Sequence, residues 1–180
     1  MRRRAPEWLE TPRLHLRRPI AADAPTLLSR YSSDAEVTRL LGWSRHRDLS
    51  DAEAFLAWSD LEWLAHGAGP YLAFEPGGRL VGGTGLHIED PWHASTGYVL
   101  ARDAWGRGYA TELARTMAEV AFRIPGLFRL QALCHASHQA SAHVLEKAAF
   151  EREGLLRRYL VFPNLDAAEP HDVLVYARVR

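Results

Sequence analysis

Apolar and polar residues change rhythm along this chain, and each change of period predicts an element. Leu14-His15-Leu16-Arg17 alternates with period two, the pattern of a strand with one buried face. Asp23 precedes a helical stretch over Ala24 to Tyr31, and Ser33-Asp34 caps a shorter one around Glu36 to Leu41. After the Gly42-Trp43 break, Ser50-Asp51-Ala52-Glu53 has capping-box spacing and predicts a helix to about Ala65. Phe55, Trp58, Leu61 and Leu64 share one of its faces, so that stripe is expected to face the core, with Trp58 and Trp63 turned inward.

The rhythm then shortens. Tyr71 to Phe74 and Leu80 to Ile88 flank Pro76-Gly77-Gly78 and read as a hairpin, and Gly97 to Leu100 reads as a further strand. A glycine-containing loop leads into a helix from Gly108 to about Phe122, with Leu113, Met117, Val120 and Ala121 at helical spacing. Leu127 to Cys134 is a strand and His138 to Ala148 a helix with Val144, Leu145 and Ala148 inward. Strands near Leu155 to Val161 and Val173 to Tyr176 close the chain. This order describes a mixed α/β domain with one central sheet.

Composition narrows the function classes. With 180 residues, 47% hydrophobic and 24% charged, the chain reads as one soluble globular domain over 1–180. Lys and Arg together number 22, as do Asp and Glu, so no bulk attraction to nucleic acid or to a membrane surface is expected. No apolar run approaches the roughly 18 residues of a membrane helix. Met1-Arg2-Arg3-Arg4 is basic, but Ala5-Pro6-Glu7-Trp8 follows in place of an apolar h-region, so residues 1–10 read as a mobile extension rather than a secretory signal. The single cysteine, Cys134, excludes an intramolecular disulfide and fits a reducing, cytoplasmic compartment.

The stretch that carries chemistry runs from Tyr98 to Leu113. A strand enters a loop with Gly106 and Gly108, and an amphipathic helix starts at once. The first amides of a helix have no intrahelical acceptor, and the helix dipole is positive there. A loop with two glycines lets backbone wrap an anion, so the arrangement suits a phosphate or pyrophosphate, with Arg107 adding a cation. A Walker loop needs Gly-Lys-Ser/Thr, which is absent. The dinucleotide fingerprint needs Gly or Ala where Thr111 stands, and an acidic residue after the next strand, where His135 stands.

Trp105-Gly-Arg-Gly-Tyr-Ala110 resembles the acetyl-CoA pyrophosphate loop of the GNAT N-acetyltransferases. Its context, with Tyr98-Val-Leu and Gly-Tyr-Ala-Thr-Glu112, resembles the RimJ/RimL branch of that family. Thr11 to Arg17, Leu80 to Leu86, Ser141 to Phe150, Arg157 to Tyr159 and Asp172 to Tyr176 resemble further elements of the same branch, in order, across nearly the whole chain. The resemblance implies one mostly antiparallel mixed sheet of about seven strands, flanked by helices and splayed at the cofactor site. It implies acetyl-CoA as co-substrate, a primary amine as acceptor (a protein N-terminal α-amine or a small molecule), and often a homodimer.

Residue roles follow from the same resemblance. Trp105 to Ala110 form the cofactor loop, in which the amides of Gly106, Arg107, Gly108, Tyr109 and Ala110 bind pyrophosphate. Leu100 presents backbone to pantetheine and the thioester, between strands that splay apart. Ser141 contacts the cofactor and is the candidate acid for the leaving thiol. Three departures stand out: His138 where the family has Asn, Arg102 where Pro is frequent, and Ser95 where a Glu is frequent. The last leaves the general base to be found elsewhere, with His87, Glu89 and Asp90 at the acceptor side as candidates. Trp43 and Trp92 are candidate acceptor contacts.

Attack by the amine on the thioester within a ternary complex is expected, since a thiol with pKa near 8.5 leaves without a strong acid. Cys134 at a strand end reads as a small buried apolar residue rather than an acyl relay. His135, His138 and His143 have no carboxylate or cysteine set to complete a metal site, so no metal is expected. The rival reading of the same motif is a CoA-binding sensor or interaction domain without turnover, for which Ser95 is the argument.

Overall fold

The computed structural model describes residues 4–180. Eight strands form one sheet: β1 Trp8–Glu10, β2 His15–Arg17, β3 Pro70–Phe74, β4 Leu80–Ile88, β5 His93–Leu100, β6 Arg129–His135, β7 Glu151–Phe162 and β8 Asp166–Val179, ordered β1-β2-β3-β4-β5-β6-β8-β7. Every neighbouring pair is antiparallel except β5 and β6. Among the described residues five α-helices accompany it: α1 Ala24–Leu27, α2 Ala35–Thr38, α3 Leu49–His66, α4 Tyr109–Arg123 and α5 Gln139–Lys147. No helix among the described residues is long and apolar enough to cross a membrane.

The strand beyond the expected seven is β1. Trp8 pairs with Arg17 and Glu10 with His15, and Ala5 just before it is buried, its amide bonded to the Gly67 carbonyl at 2.8 Å. Residues 5–10 are therefore not a free extension. Trp8 and Glu10 are exposed on this edge strand, and Leu9 between them is half-buried. Residues 1–3 of the basic opening lie outside the described residues.

Two apolar clusters form on the sheet. Leu16, Tyr71, Ala73, Val81, Leu86 and Ala94 join Leu113, Met117 and Ala121 of α4 in the larger one. Leu72 and Leu80 join Ala24, Leu27, Val37, Ala52 and Leu56 in the other. Alternation along β3 sends Tyr71 and Ala73 to one cluster and Leu72 to the next, as the pleat requires. The α4 stripe read from periodicity is inward at every position, Leu113, Met117, Val120 and Ala121 all being buried.

The α3 stripe is wrong in phase. Its buried residues are Ala52, Leu56, Ser59 and Trp63, while Leu61 and Leu64 face outward. Trp63 is 0% exposed, as expected, but Trp58 is 45% exposed. Apolar side chains surround this helix, so period alone does not select a face. The small Ala52 and Ser59 do, because they let the helix approach its neighbours closely. The helix also starts two residues earlier than the capping box implied: Asp48 is the cap, accepting from the amides of Ser50 at 2.9 Å and Asp51 at 3.3 Å.

Candidate active site

The parallel pairing of β5 with β6 runs from His93 opposite Arg129 to Thr96 opposite Ala132, and stops there. Both strands continue, β5 to Leu100 and β6 to His135, so their facing edges diverge and leave backbone groups unpaired between them. Ala101 donates its N–H to Val81 of β4 at 2.9 Å. Backbone groups alternate in direction along a strand, so those of Leu100 turn the other way, into the gap. The Leu100 carbonyl accepts the Trp105 indole N–H at 3.0 Å, which fixes the loop to the strand end.

That loop then turns twice through the left-handed region, at Gly106 (φ 72°) and at Gly108 (φ 79°), which caps α4. Residues with a Cβ resist this conformation, so the two glycines are what bring the amides of residues 106–110 to one end of the gap. The 15-residue α4 points its N-terminus there and lends its dipole.

The cationic surroundings of the loop are less simple than a free Arg107. Arg107 pairs with Glu75 at 2.8 Å, and Arg79 pairs with the other carboxylate oxygen of Glu75 at 2.8 Å. Tyr109 donates its hydroxyl to Glu75 at 2.7 Å. Arg79 first, then Tyr109 and Arg107, hold the Glu75 carboxyl down to about 2. Arg13 donates to the Arg107 carbonyl at 2.7 Å and stacks over the Tyr109 ring. Arg13 is in turn held by Glu112 of the first turn of α4, which also takes the Arg13 amide at 2.9 Å and the Thr11 hydroxyl at 2.5 Å. Glu112 thus ties the β1–β2 corner to the loop.

Along the gap lies a cleft of about 1340 Å³, bordered by Leu100, Trp105, Gly106, Ala110, Cys134, His138 and Ser141 at the loop end. The Ser141 hydroxyl is 2.9 Å from the Tyr98 hydroxyl, which also lies 3.1 Å from the Ser141 carbonyl. Burial raises the Tyr98 phenol well above its ordinary range and pushes the Cys134 thiol up to about 11. Both are neutral donors near pH 7. His138 stands at the N-terminus of α5, and burial first, then nearby His135, lowers the pKa of its imidazole.

The opposite half of the cleft is built from five elements. Trp43 and His46 come from the loop before α3, Phe55, Trp58 and Glu62 from α3, His87 and Ser95 from β4 and β5, and Leu160 and Phe162 from β7. Rings follow one another from Trp43 to His46 (5.3 Å between centroids), to Phe55 (6.2 Å) and to Trp58 (5.8 Å). Asn164 in the β7–β8 turn pins the loop, donating to the carbonyls of Thr38 and Trp43 and accepting from the Arg45 amide, each at 2.8 Å.

His87 is in this half, as expected, and has a partner the sequence reading missed. Its Nδ1 lies 2.6 Å from Glu62, whose side chain is only 13% exposed. Glu62 was hidden by the phase error on α3, which assigned the face it shares with Phe55 and Trp58 to the core rather than to the cleft. Glu89 lies outside the cleft wall but accepts the Ser95 hydroxyl at 2.6 Å, so a carboxylate reaches the position where the family has Glu by way of Ser95. Asp90 caps the turn, taking the Trp92 amide at 2.9 Å. Trp43 borders the cleft, and Trp92 does not: it is 59% exposed and its carbonyl takes the amides of Phe128 and Arg129 where β6 begins, at the far end of β5. Its aromatic character in a loop was no guide to which end of the strand that loop occupies.

The sequence profile of the acetyltransferase (GNAT) domain matches residues 13–151. The chain is 30% identical to an uncharacterised N-acetyltransferase, YoaA, of Bacillus subtilis (strain 168), over 96% of both chains. It is also 30% identical to an uncharacterised N-acetyltransferase, p20, of Bacillus licheniformis, over 85% of this chain and 87% of that one. In fold it resembles RimL, a ribosomal L7/L12 α-N-protein acetyltransferase solved with coenzyme A (TM-score 0.82, 23% identity, 96% and 98% covered). It resembles equally the microcin C7 self-immunity acetyltransferase MccE, solved with acetyl-CoA and AMP (TM-score 0.83, 17% identity, 94% and 93% covered). A splayed strand pair ending on a glycine-turned helix start, in a chain matched by this profile over most of its length, leads to one assignment. The chain belongs to the GNAT family of acetyl-CoA-dependent N-acetyltransferases.

Proposed function

We propose that this chain moves the acetyl group of acetyl-CoA directly to a primary amine, either a protein N-terminal α-amine or the amine of a small molecule. The observation that carries this reading is the end of β5–β6 pairing at Thr96 and Ala132, beside the amides of residues 106–110. In this reading Gly106, Arg107, Gly108, Tyr109 and Ala110 hold the pyrophosphate, and pantetheine lies in the gap along Leu100, with Trp105, His138 and Ser141 around it. The acceptor enters from the half lined by Trp43, Glu62 and His87.

Glu62 sets the tautomer of His87 with the proton on Nδ1, leaving the Nε2 lone pair to take a proton from the acceptor ammonium, directly or through one water, which frees the neutral amine to attack. The amine nitrogen then bonds to the thioester carbon, and the oxyanion is met by the Leu100 N–H. As the C–S bond breaks, the nitrogen sheds its second proton to water, and the sulfur takes a proton from the Ser141 hydroxyl, which is restored from water through Tyr98. No covalent acyl-enzyme is needed, and burial keeps Cys134 a thiol, a poor nucleophile.

The test is calorimetric titration of acetyl-CoA into the wild-type protein and a Gly108→Glu variant, followed by CoA release with a panel of amines and N-terminal peptides. Binding by the wild type, lost in the variant, with CoA release on at least one amine, supports the reading. A wild-type protein that binds no acetyl-CoA refutes it.

A further inference from the structure

The rim of the acceptor half carries cations with no internal partner. Arg39, Arg45 and Arg47 border the cleft and are exposed. Among the described residues their guanidinium groups make no ion pair or hydrogen bond; Arg45 and Arg47 use only their backbone amides, toward Asn164 and Asp51. Elsewhere the chain pairs its arginines closely, as with Arg17 and Asp23 at 2.6 Å or Arg129 and Glu153. The rim carboxylates are already engaged: Glu36 by Arg102 at 2.6 Å, and Asp51 by the Arg47 amide at 2.7 Å. The rim is therefore positive on a chain of zero formal net charge.

Between these cations and the dyad of Glu62 and His87 runs the ring series of Trp43, His46, Phe55 and Trp58. Trp43 and Trp58 both expose their indoles, and the buried His46 has an Nδ1 with no partner. Exposed indoles lining a concave wall are a contact surface for a flat apolar body. Guanidinium groups beside them recognise carboxylate or phosphate oxygens in a bidentate manner.

Resting on the amine-acetylation reading above, we infer that the acceptor is a small-molecule amine with an aromatic body and an anionic group, carboxylate or phosphate. The rings take the body, the three arginines take the anion, and the amine reaches His87. An uncharged aliphatic amine would leave both surfaces unused.

Four amines separate the elements: 2-phenylethylamine (ring alone), 6-aminohexanoate (anion alone), 4-(2-aminoethyl)benzoate (ring with carboxylate) and O-phosphotyramine (ring with phosphate). An N-terminal peptide opening on acidic residues is run beside them. CoA release gives kcat/KM, and quenching of tryptophan fluorescence in the presence of CoA gives acceptor binding independently of turnover. One or both ring-with-anion amines should exceed each single-feature amine by about tenfold or more, and which one leads identifies the anion. In the Arg39→Ala/Arg45→Ala/Arg47→Ala variant the ratio of ring-with-anion to ring-alone should fall toward one, while Arg157→Ala, a charge change outside the cleft, should leave it as in the wild type. Equal turnover of charged and uncharged aromatic amines would overturn the inference. So would turnover of the acidic peptide alone, or acetyl-CoA binding with neither turnover nor binding of either ring-with-anion amine. Failure to bind acetyl-CoA at all strikes the broader reading instead, and the fluorescence measurement still reports on the rim.

Discussion

Glu112 offers the sharpest test of how the cofactor loop is held. Its carboxylate takes the Thr11 hydroxyl, the Arg13 amide and the Arg13 Nε, and its side chain is only 11% exposed. Arg13 then passes the restraint to the loop through the Arg107 carbonyl. Hydrogen bonds to a charged group contribute about 1.5–3 kcal/mol each when well made. Arg13 is half-exposed, so its ion-pair share is discounted to about 1 kcal/mol or less. Water can reach Thr11 and the Arg13 amide once the carboxylate is gone, which leaves an expected loss of about 3 kcal/mol for Glu112→Ala. For a chain of this size that corresponds to a fall in Tm of about 6–12 °C. Glu112→Gln keeps one acceptor oxygen but turns an amide group toward Arg13, so it should lose about half as much. Both variants should also weaken acetyl-CoA binding, by about three- to tenfold, because an unrestrained loop must be ordered on binding. Thermal unfolding and calorimetry read the two effects separately. If Glu112→Ala unfolds within a degree or two of the wild type, the carboxylate is not a clamp and the loop is held by its own turns.

Other substitutions separate the two halves of the cleft. Asn164→Ala removes three hydrogen bonds from the loop that carries Trp43, and should raise the KM for the amine several-fold while leaving the Kd for acetyl-CoA unchanged in calorimetry. Glu62→Gln frees the His87 tautomer and should lower kcat by about 10- to 100-fold with acetyl-CoA binding intact; full activity in that variant would remove His87 as the base. Cys134 gives a pH signature: burial raises its folded pKa from 9.0 to about 11, so the unfolded state releases the proton first. The stabilisation is fully present below pH 9 and is lost as pH rises toward 11. Denaturant titrations across that window should show part of the decline absent in Cys134→Ala.

The half of the cleft proposed to hold the cofactor was legible in its shape because it is built from backbone. The splay of β5 from β6 was implied by the family resemblance, whereas Gly106 and Gly108 are forced by left-handed φ values and α4 by an inward stripe that repeats without a break. Each leaves a local mark on the order of residues. The β1 strand left none, because Trp8-Leu9-Glu10 is too short to show a period of its own. The cap of α3 was missed by a narrow margin, since Asp48 and Ser50 are both good cap residues and only the fold decides which one stops the helix.

The acceptor half could not be read in the same way, because nothing local marks it. Glu62 and His87 are 25 residues apart, and Asn164 meets Arg45 across 119. Each residue is ordinary in its own segment: a glutamate on a helix, a histidine on a strand, an asparagine in a turn. They become a site only when α3 crosses β4 and the β7–β8 turn folds over the loop before α3. This division has a consequence for substrate choice. The proposed cofactor grip depends on main-chain geometry that few substitutions can adjust without disturbing α4 or the sheet. The acceptor surface depends on side chains from segments whose own packing is largely elsewhere. Exchanging Trp43, Trp58 or the rim arginines should therefore change which amine is accepted well before it changes how acetyl-CoA is bound.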